Sequence, residues 1–456
     1  MKKALKFLSL IIAITMVLSL AACGSSSEES TSSSAPTTSE STQQSSAETS
    51  DNQEPVTLTF THMFPTEDTE GNAIAFHKAL SKFKAENQNI TINEEPLSHD
   101  NYETKVRTLA AGNELPDIFI VKGSMTSMFI ENKLINPVDD VINSDPEWKA
   151  AFLQGAFDDF VVDGKSYGIP FQMLNTHLIY YNKQLFNDAG ITAFPTNFTE
   201  FLDAINKLKA KGLTPISLGN KGNWVAESCI LSTLGDRYTG TDWFRSIKEK
   251  KGAKFTDPEF ISVLKTLQDL AKMGAFNSDL NSIDNMQQKT AYYNGKAAMF
   301  MEGNWAVSNV INDAPKEIQD NTELALLPAV DGGKGDAMAN SAGAAWAYNV
   351  NSKLEGDKLT AAYKVLKAVT DADYATISVE SNAFPASNPK TIDKSKLAPL
   401  SIKYLDLSAK IKPVPIYDAQ LSADLIQVMN TGLQELLIDG ITPENLAKKI
   451  QAEYEK

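Results

Sequence analysis

Apolar and polar positions alternate first at Val56, Leu58 and Phe60, with Thr57, Thr59 and Thr61 between them. That period of two predicts a half-buried strand. Ala73, Phe76, His77, Leu80 and Phe83 then recur at helical spacing. Ile90-Thr91-Ile92 predicts a second strand, and Tyr102, Val106 and Leu109 a second helix ending near Gly112. Asp117-Ile118-Phe119-Ile120-Val121 is almost continuously apolar, as suits a parallel strand buried on both faces. The order β-α-β-α-β points to an α/β domain with helices on both faces of a sheet. The second half carries more helical periods. Phe201, Leu202, Ile205 and Leu208 form one apolar face; Phe260, Val263, Leu264, Leu267 and Leu270 form another. Asp257-Pro258-Glu259 and Thr442-Pro443-Glu444 each combine a capping side chain with proline at the first helical position. Leu425, Val428, Met429, Leu433 and Leu436 give the penultimate helix, closed by Gly440.

The N-terminus follows a different pattern. Lys2, Lys3 and Lys6 precede the apolar stretch Phe7 to Leu20, which ends in Leu20-Ala21-Ala22-Cys23-Gly24. The stretch is too short for a convincing transmembrane span and is flanked as a signal sequence is. The Leu-Ala-Ala-Cys ending resembles the bacterial lipoprotein lipobox. That resemblance implies cleavage after residue 22 and lipid on Cys23, which becomes the first mature residue. Gly24 to Glu54 holds 17 Ser or Thr among 31 residues. Such a segment cannot bury a core and is expected to form a disordered tether, spanning roughly 30 Å end to end as a flexible coil.

Charge and cysteine content narrow the function. The 456 residues carry a formal net charge of −15, and losing residues 1–22, with three lysines and no acids, makes it −18. An acidic body lacks the clustered Lys and Arg that nucleic acid demands. It is also repelled by an anionic bilayer, so attachment has to come from lipid rather than a basic patch. Cys229 is the single thiol of the folded part and reads as a small buried hydrophobe.

Enzyme signatures are missing. The one Gly-x-Ser-x-Gly match, Gly164-Lys165-Ser166-Tyr167-Gly168, runs into Ile169-Pro170 rather than the helix that follows a nucleophile elbow, and there is no Walker loop and no Gly-x-Gly-x-x-Gly between a strand and a helix. His62, His77, His99 and His177 are scattered, with no pair at zinc spacing. No cofactor, metal or catalytic residue is expected.

Four segments carry a resemblance. They are Tyr102-Glu103-Thr104-Lys105 with Ala110 to Ile118; Gly164 to Pro170 leading to Ile179-Tyr180-Tyr181-Asn182-Lys183; Tyr293 to Met299 with Gly303-Asn304-Trp305; and Ser341 to Trp346. In this order, behind a lipobox, the chain resembles the extracellular solute-binding proteins of ABC importers, in the sugar-binding family that includes maltose-binding protein. The resemblance spans nearly all of residues 56–456. It implies an α/β, two-lobed periplasmic-binding-protein-like (Venus flytrap) fold with three hinge crossings, placed near Tyr167–Pro170, Ala337–Ser341 and Ala383–Ala386. Residues 56–167 plus 341–384 would make lobe 1, and 168–337 plus 388–456 lobe 2. It implies a monomer, lipid-anchored on the outer face of a bacterial cytoplasmic membrane, that delivers a mono- or oligosaccharide to permease subunits. The competing readings are a binder of another polar solute such as a polyamine, and a sugar-binding surface protein without a transport role.

A sugar site needs aromatic platforms for C–H faces and planar polar groups for hydroxyls. By the resemblance, Trp305 stands where relatives carry a stacking Trp, and Asn175 at a polar contact position, with Asn here in place of an acid. Trp224 ends the polar, Gly-rich loop Gly219 to Trp224. Trp346 is a third candidate platform. His62 and Met63 follow the first strand, and Lys122 and Ser124 follow the strand at 117–121, where open α/β sheets place ligands. Glu302, before the Gly-Asn-Trp turn, and Asp418, in Pro415-Ile416-Tyr417-Asp418, complete the candidate ligand residues. Trp148 and Trp243 are expected to be structural.

Overall fold

The computed structural model describes residues 54–456. Cys23, residues 1–22 and most of the tether fall outside the described residues. The first sheet runs in the order Ile90–Pro96, Val56–His62, Ile118–Lys122, Trp346–Val350, Ile169–Pro170. The first three strands are parallel, with Leu58 opposite Ile92 and Phe60 opposite Ile118. Trp346–Val350 runs antiparallel and sets Trp346 beside Lys122. Every residue of Ile118–Lys122 is buried, which explains its unbroken apolar run. The helices Gly71–Glu86 and His99–Gly112 pack on this sheet through Phe76, Leu80, Phe83, Tyr102 and Val106.

A second sheet has the order Thr322–Ala325, Leu178–Asn182, Ala297–Glu302, Thr214–Ser217. Its core joins Phe201, Ile205 and Leu208 to Phe260, Leu264, Leu433 and Ile450. The fold is thus two-lobed and α/β in each lobe. A small third sheet, of Lys412–Val414, Ala339–Gly343 and Leu174–Asn175, sits where the chain passes between lobes.

The first passage comes slightly later than the sequence suggests. Ile169 and Pro170 still pair with Tyr348 and Ala347 in the first sheet, so the crossing occupies 171–177. The return runs through Ala339–Gly343 into Trp346–Val350. The third passage follows the helix Ala372–Glu380 and leads to the helix Pro399–Ser408, whose Leu400 and Tyr404 pack with Tyr180 and Phe300 of the second sheet.

Two helix-end readings need correction. Asp257 precedes Pro258 but does not cap with its side chain; its Oδ2 instead accepts from Trp243 Nε1 at 2.8 Å and from the Lys254 amide at 2.9 Å. The penultimate helix, Ala423–Leu437, turns at Asp439, with φ of 61°, rather than at Gly440. Trp148 and Trp243 are structural. Trp148 is buried and donates to Thr370, and Trp243 stacks on Phe260 with centroids 5.2 Å apart. No helix among the described residues is long and apolar enough to cross a membrane.

Candidate functional site

The parallel strands Val56–His62 and Ile118–Lys122 end at a cavity of about 310 Å³ between the lobes. Met63, Lys122, Trp224, Trp305, Trp346 and Asp418 all line it. Each arrives by a different local device. Trp305 follows the strand Ala297–Glu302 and begins the helix Ala306–Asp313. Its ring lies against Gly303, where a β-carbon would collide with it, so the glycine is what lets the indole fold back. Behind this turn, Asn304 Nδ2 donates to Tyr404 Oη and to the Met173 carbonyl, both at 2.9 Å. Trp305 is half-buried and touches the cores of both lobes.

Trp224 ends the loop after Thr214–Ser217. Its ring centroid is 6.1 Å from that of Trp305, with planes at 54°, so two indoles flank one space. Trp224 Nε1 donates to Asp100 Oδ1 at 3.0 Å, which ties the second lobe to the first. Asp100 is held below the usual carboxylate range, chiefly by its hydrogen bond to His99 and also by that to Trp224, against the opposing pull of burial. Trp346 is buried, forms one wall, and has the Lys122 ammonium 5.4 Å from its ring centroid.

Lys122 Nζ donates to Asp418 Oδ2 at 2.7 Å, with both side chains buried. Burial alone would lower the lysine, but Asp418 and Glu103 outweigh it and hold the ammonium above its ordinary range. A second cation, Lys289, donates to Asn309 Oδ1 at 2.9 Å and lies 3.4 Å from Glu302. It stands one helical turn after Asn285 on Asn285–Tyr293, a helix that Asp284 starts with a capping box to Gln287. Glu70 sits opposite. Burial, reinforced by Asp68 and opposed by Lys289, pushes its carboxyl up to about 7.

Four candidates lie off the cavity lining. His62 is buried among Phe60, Phe64 and Phe76, with Nε2 3.2 Å from Glu94 Oε2; the last residue of a central strand points into the lobe core here. Asn175 donates to Tyr404 Oη at 2.6 Å and braces the Trp305 turn instead. Glu302 is buried behind the lining, accepting from Asn285 Nδ2 at 2.8 Å. Ser124 lies in the short turn Gly123–Met125 behind Lys122.

The sequence reading missed Asp68, Glu70, His99, Asp100, Gln172, Asn285 and Lys289, all of which line the cavity. His99 and Asp100 open a helix just after a strand, a position that could have drawn attention to them. Gln172 lies in a crossing and Lys289 on a helix face, where no local pattern marks a ligand residue. Among the described residues no cluster of His, Cys, Asp or Glu could hold a metal ion.

Residues 69–376 match the family described as bacterial extracellular solute-binding protein. A solved structure described with xylan utilization by the thermophilic bacterium Caldanaerobius polysaccharolyticus is 30% identical, with a TM-score of 0.80 over 87% of this chain and 100% of that one. A chitin oligosaccharide binding protein is 27% identical, with a TM-score of 0.80 over 88% of this chain and 98% of that one. An uncharacterized ABC transporter extracellular-binding protein of Pyrococcus horikoshii is 25% identical over 242 residues, 52% of this chain and 53% of its own. The chain spans about half the length of the curated relatives it matches.

Proposed function

The chain belongs to the bacterial extracellular solute-binding protein family, and from that premise we propose that it captures a sugar or oligosaccharide for an ABC importer. The observation that carries this reading is the pair of indoles, Trp224 and Trp305, flanking one interlobe cavity. Indole faces suit the C–H surface of a pyranose. Around them stand amides and groups of both charge types, with Lys122 and Lys289 set against Asp68, Asp100 and Asp418 and the raised carboxyl of Glu70. Such a lining recognises a polar neutral solute through many hydroxyls. The similarity to proteins described with xylan utilization and chitin oligosaccharide binding supports the same class.

On this reading the protein holds its solute without transforming it, acts as a monomer outside the cytoplasmic membrane, and hands the solute to the permease. Residues 56–167 plus 341–384 and residues 168–337 plus 388–456 approximate the two lobes, with the strand Ile169–Pro170 going with the first. Cys23 carries the lipid anchor. Mass spectrometry of the mature chain should find a lipid on Cys23, and an unmodified Cys23 would reject the anchor.

The carboxylates of Asp68, Glu70, Asp100 and Asp284 along the lining favour a polyamine as the second reading. Titration calorimetry with xylo-, chito- and malto-oligosaccharides beside spermidine separates the two. The expected result is heat of binding from at least one sugar series and none from spermidine. Saturation at 100 times Kd should then add about 2.7 kcal/mol of stability. Binding of spermidine alone would overturn the sugar assignment.

A further inference from the structure

A second cavity, of about 190 Å³, lies between the helices His99–Gly112 and Ala423–Leu437. It shares His99, Asp100, Lys122 and Trp224 with the first cavity, so one wall serves both. The partition is thin. It consists of the Trp224 to Asp100 hydrogen bond, at 3.0 Å, and of Gly222, whose added β-carbon would lie 2.9 Å from Asp100 Oδ2. Beyond it the lining is again of the kind that suits a sugar. Asn223, Gln427 and Asn430 supply amides, Arg107 a guanidinium, and Trp224 the aromatic wall.

Two lining atoms on residues that the first cavity does not share lack a hydrogen-bond partner, although the Arg107 guanidinium pairs through Nη2 with Glu103 Oε1 at 3.3 Å. Asn430 is 7% exposed, and its Oδ1 has no hydrogen-bond partner among the described residues; Arg107 Nε has none either. A buried amide oxygen without a partner costs stability, and a ligand hydroxyl is the natural group to relieve it. Nothing in the first cavity calls for either group, because neither lines it.

We propose that the second cavity is a further binding subsite, and that the solute is a linear oligosaccharide running from the interlobe cavity past Trp224 to Arg107 and Asn430. The proposal rests on the sugar reading above and narrows it from sugars in general to chains longer than a disaccharide.

The test is titration calorimetry of the purified protein with the di- and tetrasaccharides of the xylo-, chito- and malto-oligosaccharide series. In whichever series binds, the tetrasaccharide should bind at least about tenfold more tightly than the disaccharide. Asn430→Leu, which removes the amide, and Thr104→Tyr, which fills the second cavity from the exposed face of its helix, should each erase that difference. Disaccharide affinity should stay within about twofold of the parent. Thr104→Tyr keeps the test decisive if the buried substitution disturbs folding. Equal affinity for both lengths, or a tetrasaccharide advantage that survives Thr104→Tyr, would overturn the subsite. Failure of every sugar of either length would overturn the sugar reading itself.

Discussion

Trp305 is where a residue type, a turn and the site meet most clearly. Its ring is half-buried, folded over Gly303, and exposed to the cavity that Trp224 faces from the other side. Trp305→Ala should weaken sugar binding by on the order of 100-fold, as loss of an aromatic anchor does. The urea-melt stability of the ligand-free protein should fall less than the ~3–5 kcal/mol of a buried core aromatic. Calorimetry and melts on the same variant check this. Intact affinity with a large stability loss would make Trp305 a packing residue. Glu70 offers a pH readout. Its folded carboxyl is raised from 4.5 to about 7, first by burial and then by Asp68. The stability tied to its neutral form is present below 4.5 and is lost as pH rises through 7. Glu70→Gln stays neutral, so its melting temperature should gain on the parent's as pH climbs through that window. A constant gap between the two would remove Glu70 as the source. At this scale the sequence showed the aromatic and strand-end candidates, because Trp and a post-strand Lys stand out in one dimension. It could not show which side of a strand end faces the core. His62 therefore looked like a ligand residue and proved to be packed among phenylalanines.

Elements decide how tightly the lobes meet. The loop Gly219 to Trp224 leans on the start of the helix His99–Gly112: Trp224 Nε1 bonds Asp100, and a β-carbon at Gly222 would crowd the same carboxylate. On the other side of the cleft, Gly71 N donates to Ser308 Oγ at 2.8 Å and Thr69 Oγ1 to Asp313 Oδ2 at 2.8 Å. Gly222 is not at a left-handed φ, so alanine there costs little in backbone energy. Its harm falls on the closed arrangement, through the Asp100 carboxylate. Gly222→Ala should therefore leave the ligand-free melt near that of the parent while weakening sugar binding about tenfold, mainly through faster release. Stopped-flow tryptophan fluorescence gives the release rate; an unchanged rate would show that the loop yields freely. Strands and helices themselves were legible from periodicity, as with the buried run at 118–122. Short strands such as Leu174–Asn175 were not, because two residues carry no period. That is why the first crossing was read a few residues early.

For the molecule as a whole, three passages through short strands and loops join two lobes that each have a core of their own. Few covalent links and polar interlobe contacts favour rigid-body motion over local rearrangement. Here Lys122 reaches Asp418, and Asp100 reaches Trp224, so the lobes are drawn together. The two-lobed plan was visible in the sequence through the ordered segments from Tyr102 to Trp346, whereas the cavity between the lobes depends on contacts far apart in the chain, such as Asp100 with Trp224. The central claim is that a sugar is held between the lobes and keeps them closed. Small-angle X-ray scattering of the purified protein, free and saturated with the sugar that binds in calorimetry, tests it most directly. The account expects a smaller radius of gyration with sugar, and a bound profile that fits the described arrangement of the lobes. Identical profiles with and without saturating sugar would contradict it.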